Sequence, residues 1–547
     1  MKLTYIVCGV FLIASTVFAQ SEQPQKIEPE SIIRAELNAG EIHNFQVELK
    51  SGQYILIAVR QIGVDLVVKV NDPNGELVSE IDSPTGDKGA ELVEFVPKLT
   101  GLYELQLSSL QKDSAKGEYE IKILKSRSPK EQNEYIRAKI ARRESGFAIE
   151  NVRVFDGESV HENTTVLFEN GKITAIGSDI DIPEKAELIS GEGRTLLPGL
   201  IESHSHIAAS SALEQALAFG VTTAMGMHED PVAVSALKSE QSEGNAFGRA
   251  DIFSAGNLVT APKGHGTEYG RDFPTIERAE DAQKFVDERI AEGSDYIKIV
   301  YQPCKGCMPS IDYETLEALI EAAHKRDKLA IVHIHPLEYA EDAVKAGADG
   351  LAHMFADHVP DSAFVEQMSQ RNTFVLVTLG VTYCFGGRAG SEALATDDRV
   401  APYLDASAAE WLAITNPNAK PGGWFDPDTV KISLKLLHEK GIRLLAGSDP
   451  PNRGTAFGIS IHREMDILVE AGLSPLEALK SATSLPASVF GLTDRGRIDV
   501  GLRADLLLVD GDPTTDIDKT RNIVAIWKEG EMFDRDFYRE KKELVKE

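Results

Sequence analysis

The chain is poor in cysteine, tryptophan and positive charge. Only four cysteines occur in 547 residues, so a disulfide scaffold is excluded. Lys and Arg total 57 against 86 Asp and Glu, a net charge of −29. That balance argues against nucleic acid or an anionic membrane as the main partner. Beyond the first twenty residues no apolar run is long enough to span a bilayer. No Gly-rich nucleotide fingerprint follows an early strand. At this length two or three domains are expected.

The N-terminus has the composition of an export signal. Lys2 precedes an apolar run from Leu3 to Val17, and Val17 and Ala19 fit a signal-peptidase site. Cleavage is expected after Ala19, giving a periplasmic or secreted protein with no stable membrane insertion. Cys8 lies within the run behind Val7, which speaks against lipid attachment. Of the remaining cysteines, Cys304 and Cys307 sit close enough for a local disulfide after export, favoured slightly over two loop thiols. Cys384 stands apart.

Residues 28–126 alternate in the manner of strands with one wet face. Phe45, Val47 and Leu49 form one such set, and Tyr103, Leu105 and Leu107 another. Asp72-Pro73-Asn74-Gly75 is a turn. These features predict a β-sandwich without catalytic residues. The Gly-Xaa-Tyr turns Gly52-Gln53-Tyr54, Gly101-Leu102-Tyr103 and Gly117-Glu118-Tyr119 resemble those of the pre-peptidase C-terminal type domains, which implies an accessory or binding role. Residues 127–146 are densely charged and read as a linker with helical potential.

Strands return over 147–197, with Asn170-Gly171 as a hairpin signal. Similar runs recur over 491–547, so one small flanking β domain is expected from both ends of the intervening segment. Between them, 198–490 alternates strands and helices, with Phe374 to Leu379 among the expected strands. Asp312 is placed to cap a helix and Gly347 to end one. Repeated units of this length imply a parallel sheet, and eight would close a (β/α)8 TIM barrel.

The chemistry-bearing residues fall at predicted strand ends. His204 and His206 lie one residue apart, so a strand projects both from one face. Lys298, His333, His353 and Asp449 occupy later strands. Each alone has a structural explanation, but six recurring in successive βα units point to a metal centre. A buried lysine readily loses its charge.

The pattern resembles the amidohydrolase superfamily, nearest its imidazolonepropionase-like and prolidase-like branch. The resemblance rests on Pro198-Gly199-Leu200-Ile201-Glu202-Ser203-His204-Ser205-His206, on Gly220-Val221-Thr222-Thr223 and on Gly501-Leu502-Arg503-Ala504-Asp505-Leu506. It implies two divalent ions, usually zinc. His204, His206 and Asp449 would hold one and His333 and His353 the other. Lys298, as a carbamate derived from carbon dioxide, would bridge them. It also implies that a metal-bridging hydroxide attacks the amide carbonyl, with Asp449 as the catalytic proton carrier.

His265 resembles the branch's substrate-touching histidine. His228 and Tyr301 are further candidates for substrate contact, and His335, on the face of His333, for support of it or as an alternate ligand. Glu202 stands where the family has aspartate, and Met354 where glycine is common. The long segment from Cys384 to Asp428 is a candidate lid. The expected substrate is a small molecule, either a dipeptide such as Xaa-Pro or a cyclic amide. Lactones, carbamates or phosphoesters are the alternative for the same centre. An inert barrel with a binding role is the non-enzymatic alternative. A homo-oligomer is compatible with the sequence.

Overall fold

The computed structural model describes residues 24–82, 87–109, 116–244, 246–303, 306, 308–388, 391–416 and 426–546. The expected signal segment and both cysteines of the Cys304–Cys307 pair lie outside the described residues.

The N-terminal region is all β. One sheet of five strands runs in the order Gln25–Lys26, Ile42–Leu49, Gly101–Ser109, Leu66–Asn71 and Leu77–Ile81. The other has four strands: Ile32–Leu37, Gly117–Arg127, Tyr54–Ile62 and Lys88–Phe95. Alternate side chains from both sheets, among them Phe45, Val47, Ile57, Val59, Leu105 and Ile121, share one buried cluster. The charged segment that follows is a helix, Pro129–Ser145. Ser128 and Glu131 cap its N-terminus reciprocally, and Arg142 and Arg143 lie in its last turn.

A third sheet is assembled from distant stretches. Arg194–Pro198 pairs antiparallel with Leu506–Asp510, with Thr195 opposite Val509 and Leu197 opposite Leu507. Phe147, Phe168 and Trp527 pack ring to ring in its core.

Between these strands lie eight parallel ones, numbered here in chain order. They are β1 (Leu200–Ser205), β2 (Val221–Gly226), β3 (Asp251–Ser254), β4 (Ile297–Val300), β5 (Ala330–His333), β6 (Gly350–Ala352), β7 (Phe374–Leu376) and β8 (Leu444–Leu445). β1–β3 form one sheet and β4–β8 another. Backbone bonds join the edges: Val259 pairs with Ile299, and the Ser203 N–H donates to the Ala446 carbonyl at 3.1 Å. All eight strands are buried, which explains their continuous apolar character. Asp312 caps the helix Tyr313–His324, and Gly347 closes Leu337–Ala346 in the left-handed conformation.

Two expectations change. The apolar run from Phe374 to Leu379 ends as a strand at Leu376. Thr378 turns into the left-handed region, and Leu379 opens a helix. The segment read as a lid is in part anchored: Leu394, Val400, Leu404 and Leu412 are buried with Phe219, Ala456 and Ile459.

A cavity of about 1200 Å³ separates the N-terminal sheets from the helices after β1 and β2. Lys541 of the C-terminal helix Arg535–Lys546 crosses there, 2.7 Å from both Glu94 and Glu214. None of the histidines lines this cavity. Among the described residues no helix is long and apolar enough to cross a membrane.

Beneath the parallel strands, Asp251 is fully buried with Arg495 at 2.6 Å, Arg503 at 2.9 Å and Lys528 at 2.9 Å. Burial alone would raise its carboxyl pKa, but Lys528, Arg503 and Arg495 outweigh it and hold it below the usual carboxylate range. The Asp251→Asn variant strands these cations and is expected to lose about 3–5 kcal/mol of stability, read from urea unfolding. A depressed pKa stabilises the fold above the unfolded carboxylate range. That contribution should fade as the pH falls through the folded value.

Candidate metal centre

The parallel strands deliver the predicted residues to one end of the sheet. His204 lies in β1 and His206 just past it, and their rings are 5.4 Å apart. His333 ends β5, His353 follows β6, and Asp449 follows β8. His353 and Asp449 both adopt left-handed backbone, at φ 78° and 57°. Neither is glycine, so each conformation is held by its surroundings at some energetic cost. For Asp449 the holding bonds are visible. Its N–H donates to the His204 carbonyl and the His206 N–H to the Pro450 carbonyl, each at 2.8 Å.

Ligand atoms of His204, His353 and Asp449 all lie within 4.8 Å of one another. Asp449 Oδ1 is 3.0 Å from His206 Nε2 and 3.5 Å from His204 Nε2. The rings of His204 and His353 are 4.8 Å apart, and those of His333 and His353 are 4.5 Å apart. His353 Nε2 and His333 Nδ1 approach to 2.9 Å. Both nitrogens of His204 are buried without a hydrogen-bond partner. Buried polar atoms are seldom left so. Two imidazoles and a carboxylate with lone pairs aimed at a common point fit a divalent cation.

The electrostatics agree. Burial first, and neighbouring cationic groups second, hold His204, His333 and His353 well below ordinary histidine basicity. Neutral imidazole is the form that ligates. Lys298 is buried in β4 and acts on all three. Burial pushes its amine down to about 7, against the opposing pull of Asp449 and Glu229.

Supporting contacts come from elements far apart in the chain. Glu202 is buried beside the turn before Asp449. It accepts from the His204 N–H at 3.0 Å, the Ser448 N–H at 2.8 Å and the Ser448 hydroxyl at 2.5 Å. Burial pushes its carboxyl up to about 7 against those bonds. Thr378 Oγ1 lies 2.8 Å from His353 Nδ1. Gln302 lies 2.8 Å from His333 Nε2, and Asn452 donates to Asp449 Oδ2 at 3.3 Å. Thr378, Gln302 and Asn452 were not legible as site residues, because each reaches the cluster only through packing.

The secondary candidates divide. The His265 ring lies 4.9 Å from that of His333, and its Nδ1 is 2.7 Å from Glu268. His335 stacks on His353 at 5.1 Å. His228 stands beyond β2 with Nδ1 accepting from the Leu258 N–H. Tyr301 departs from expectation. Its hydroxyl donates to Asp342 at 2.9 Å and its ring packs on Tyr339, so its polar group is already engaged within the protein. Met354, where the family commonly has glycine, is buried in the core.

Residues 195–533, more than half of the chain, match the amidohydrolase family. The imidazolonepropionase of Nocardia farcinica is 22% identical over 402 residues, covering 68% of this chain and 92% of that enzyme. The ochratoxinase of Aspergillus niger is 22% identical over 437 residues, covering 69% and 84%. A solved Xaa-Pro dipeptidase with bound methionine superposes with a TM-score of 0.58 at 21% identity, covering 71% of this chain and 99% of that one. With the matching segment spanning every parallel strand and all of the clustered side chains, the chain belongs to the amidohydrolase family.

Proposed function

We propose that this protein is an exported, metal-dependent hydrolase of C–N amide bonds, acting on dipeptides such as Xaa-Pro or on a cyclic amide. One observation carries the reading: converging ligand atoms of His204, His353 and Asp449, with both His204 nitrogens left without a partner, at the strand ends of an amidohydrolase-family chain. The joined edges of the two parallel sheets support closure as a (β/α)8 barrel, whose C-terminal strand ends carry active sites. The N-terminal signal composition supports export. Relatives named for imidazolone and Xaa-Pro hydrolysis support the bond class.

His204, His206 and Asp449 would hold one divalent ion, and His333 and His353 a second, with Lys298 as a carbamate between them. The nearly neutral amine at Lys298 suits that modification, in which the nitrogen bonds to carbon dioxide and releases a proton. Bound ions supply Lewis acidity to the carbonyl and lower the pKa of water. Asp449 is placed to take a proton and return it to the leaving nitrogen. His265, oriented by Glu268, faces the same cluster from the loop after β3.

The test pairs metal analysis with a dipeptide panel, run beside chromogenic esters and lactones. The protein should carry about two zinc equivalents, hydrolyse a subset of dipeptides, lose activity on chelation and regain it with zinc. Protein that stays metal-free in excess zinc, or that cleaves only esters, overturns the proposal.

A further inference from the structure

A second group of polar side chains lies beside the metal cluster, and its hydrogen-bond bookkeeping does not close. His228 stands two residues beyond β2, and Arg271 is on the loop after β3. The Leu258 N–H donates to His228 Nδ1 at 3.2 Å. Leu258 is buried, and a buried backbone N–H needs an acceptor. Nδ1 therefore carries no proton. Burial first, then His206 and Arg271, keeps the ring neutral, with its pKa pushed down to about 3. A neutral imidazole with a bare Nδ1 carries its proton on Nε2.

That N–H faces Arg271 Nη2 at 3.5 Å. Two donors thus face each other, and neither satisfies the other. Arg271 Nη2 also donates to the Glu229 carbonyl at 3.3 Å, which fixes the guanidinium in place. Phe273 packs against both, with its centroid 4.8 Å from the His228 ring and 5.4 Å from the guanidinium carbon.

Charge gives an independent argument. Acidic groups outnumber basic ones by 86 to 57. Four other half-buried or buried arginines, Arg249, Arg399, Arg495 and Arg521, pair with a carboxylate, whereas Arg443 and Arg535 donate to backbone carbonyls. Arg271 forms no such ion pair among the described residues. The electrostatic neighbours of His228 include His206, His265 and Lys298, so the pair adjoins the proposed reaction centre.

We propose that Arg271 and the His228 Nε2–H together receive an anionic oxygen of the substrate, a carboxylate on the amine side of the scissile amide. An oxygen between them accepts from both donors and neutralises the guanidinium. This rests on the amide-hydrolase reading and narrows it to amides that carry a free carboxylate.

The test is a ratio. Binding of N-acetyl-L-proline and N-acetyl-L-prolinamide to zinc-loaded protein is measured by calorimetry, and kcat/KM is measured for Gly-Pro and its C-terminal carboxamide. Wild type should favour the acid by about thirtyfold or more, the scale of a desolvated charge pair. The Arg271→Met variant should bring that ratio near one. His228→Gln, which keeps a donor, should retain more of it than His228→Phe. A merely structural Arg271 would weaken acid and amide alike, so an unchanged ratio in Arg271→Met overturns the inference. If Arg271→Met does not fold, an unchanged ratio in His228→Phe overturns it. Acid preference that depends on Arg271, in a protein that turns over no dipeptide, would instead refute the hydrolase reading and leave the anion site standing.

Discussion

Replacing Asp449 by asparagine should abolish turnover while the folded protein keeps most of its metal. The side chain is buried, with Oδ1 3.0 Å from His206 Nε2. Asparagine has the same shape and tolerates the left-handed backbone that position 449 adopts at φ 57°. Its carbonyl oxygen can still ligate. What it cannot do is accept and release a proton. Loss of positioned acid–base catalysis costs about 10²–10⁴-fold in rate, so kcat should fall by about a thousandfold. Metal content by elemental analysis and the unfolding midpoint should change little. An Asp449→Asn protein with wild-type kcat would remove Asp449 from the chemistry.

The Lys298→Met variant should separate metal assembly from folding. Lys298 is buried in β4 opposite Ile331 of β5, and methionine fills a similar volume without an amine. The fold should survive, because burial already opposes charge on this lysine. The variant should bind one divalent ion or fewer where wild type binds two. Its kcat should fall by about a thousandfold or more, the scale of lost charge stabilisation at a metal site. Wild type exposed to ¹³C-labelled carbon dioxide should show a carbamate carbon resonance that the variant lacks. Two bound ions and normal activity in Lys298→Met would refute the bridging role.

Much of the candidate centre was legible because strand geometry is simple. Alternation fixes which face His204 and His206 share, and residues at the ends of successive parallel strands meet at one end of the sheet. The engagement of Tyr301 was not legible, for the complementary reason. Its place just past β4 is local, but the direction of its hydroxyl is set by Asp342, on a helix three elements later. The contact between Glu202 and Ser448 joins residues 246 positions apart, and nothing in either local sequence announces the other. The run through Leu379 misled because apolar content alone does not separate a buried strand from a buried helix.

The amino-acid sequence alone determined the order of strands and helices, the family signature and the identities of the clustered histidines, lysine and aspartate. These are local properties of periodicity and spacing. Tertiary structure alone decided that the Leu258 N–H meets His228 Nδ1, that Arg271 faces Nε2, and that Tyr301 is already engaged. Those depend on distances between loops that no pattern along the chain encodes, and packing sets them.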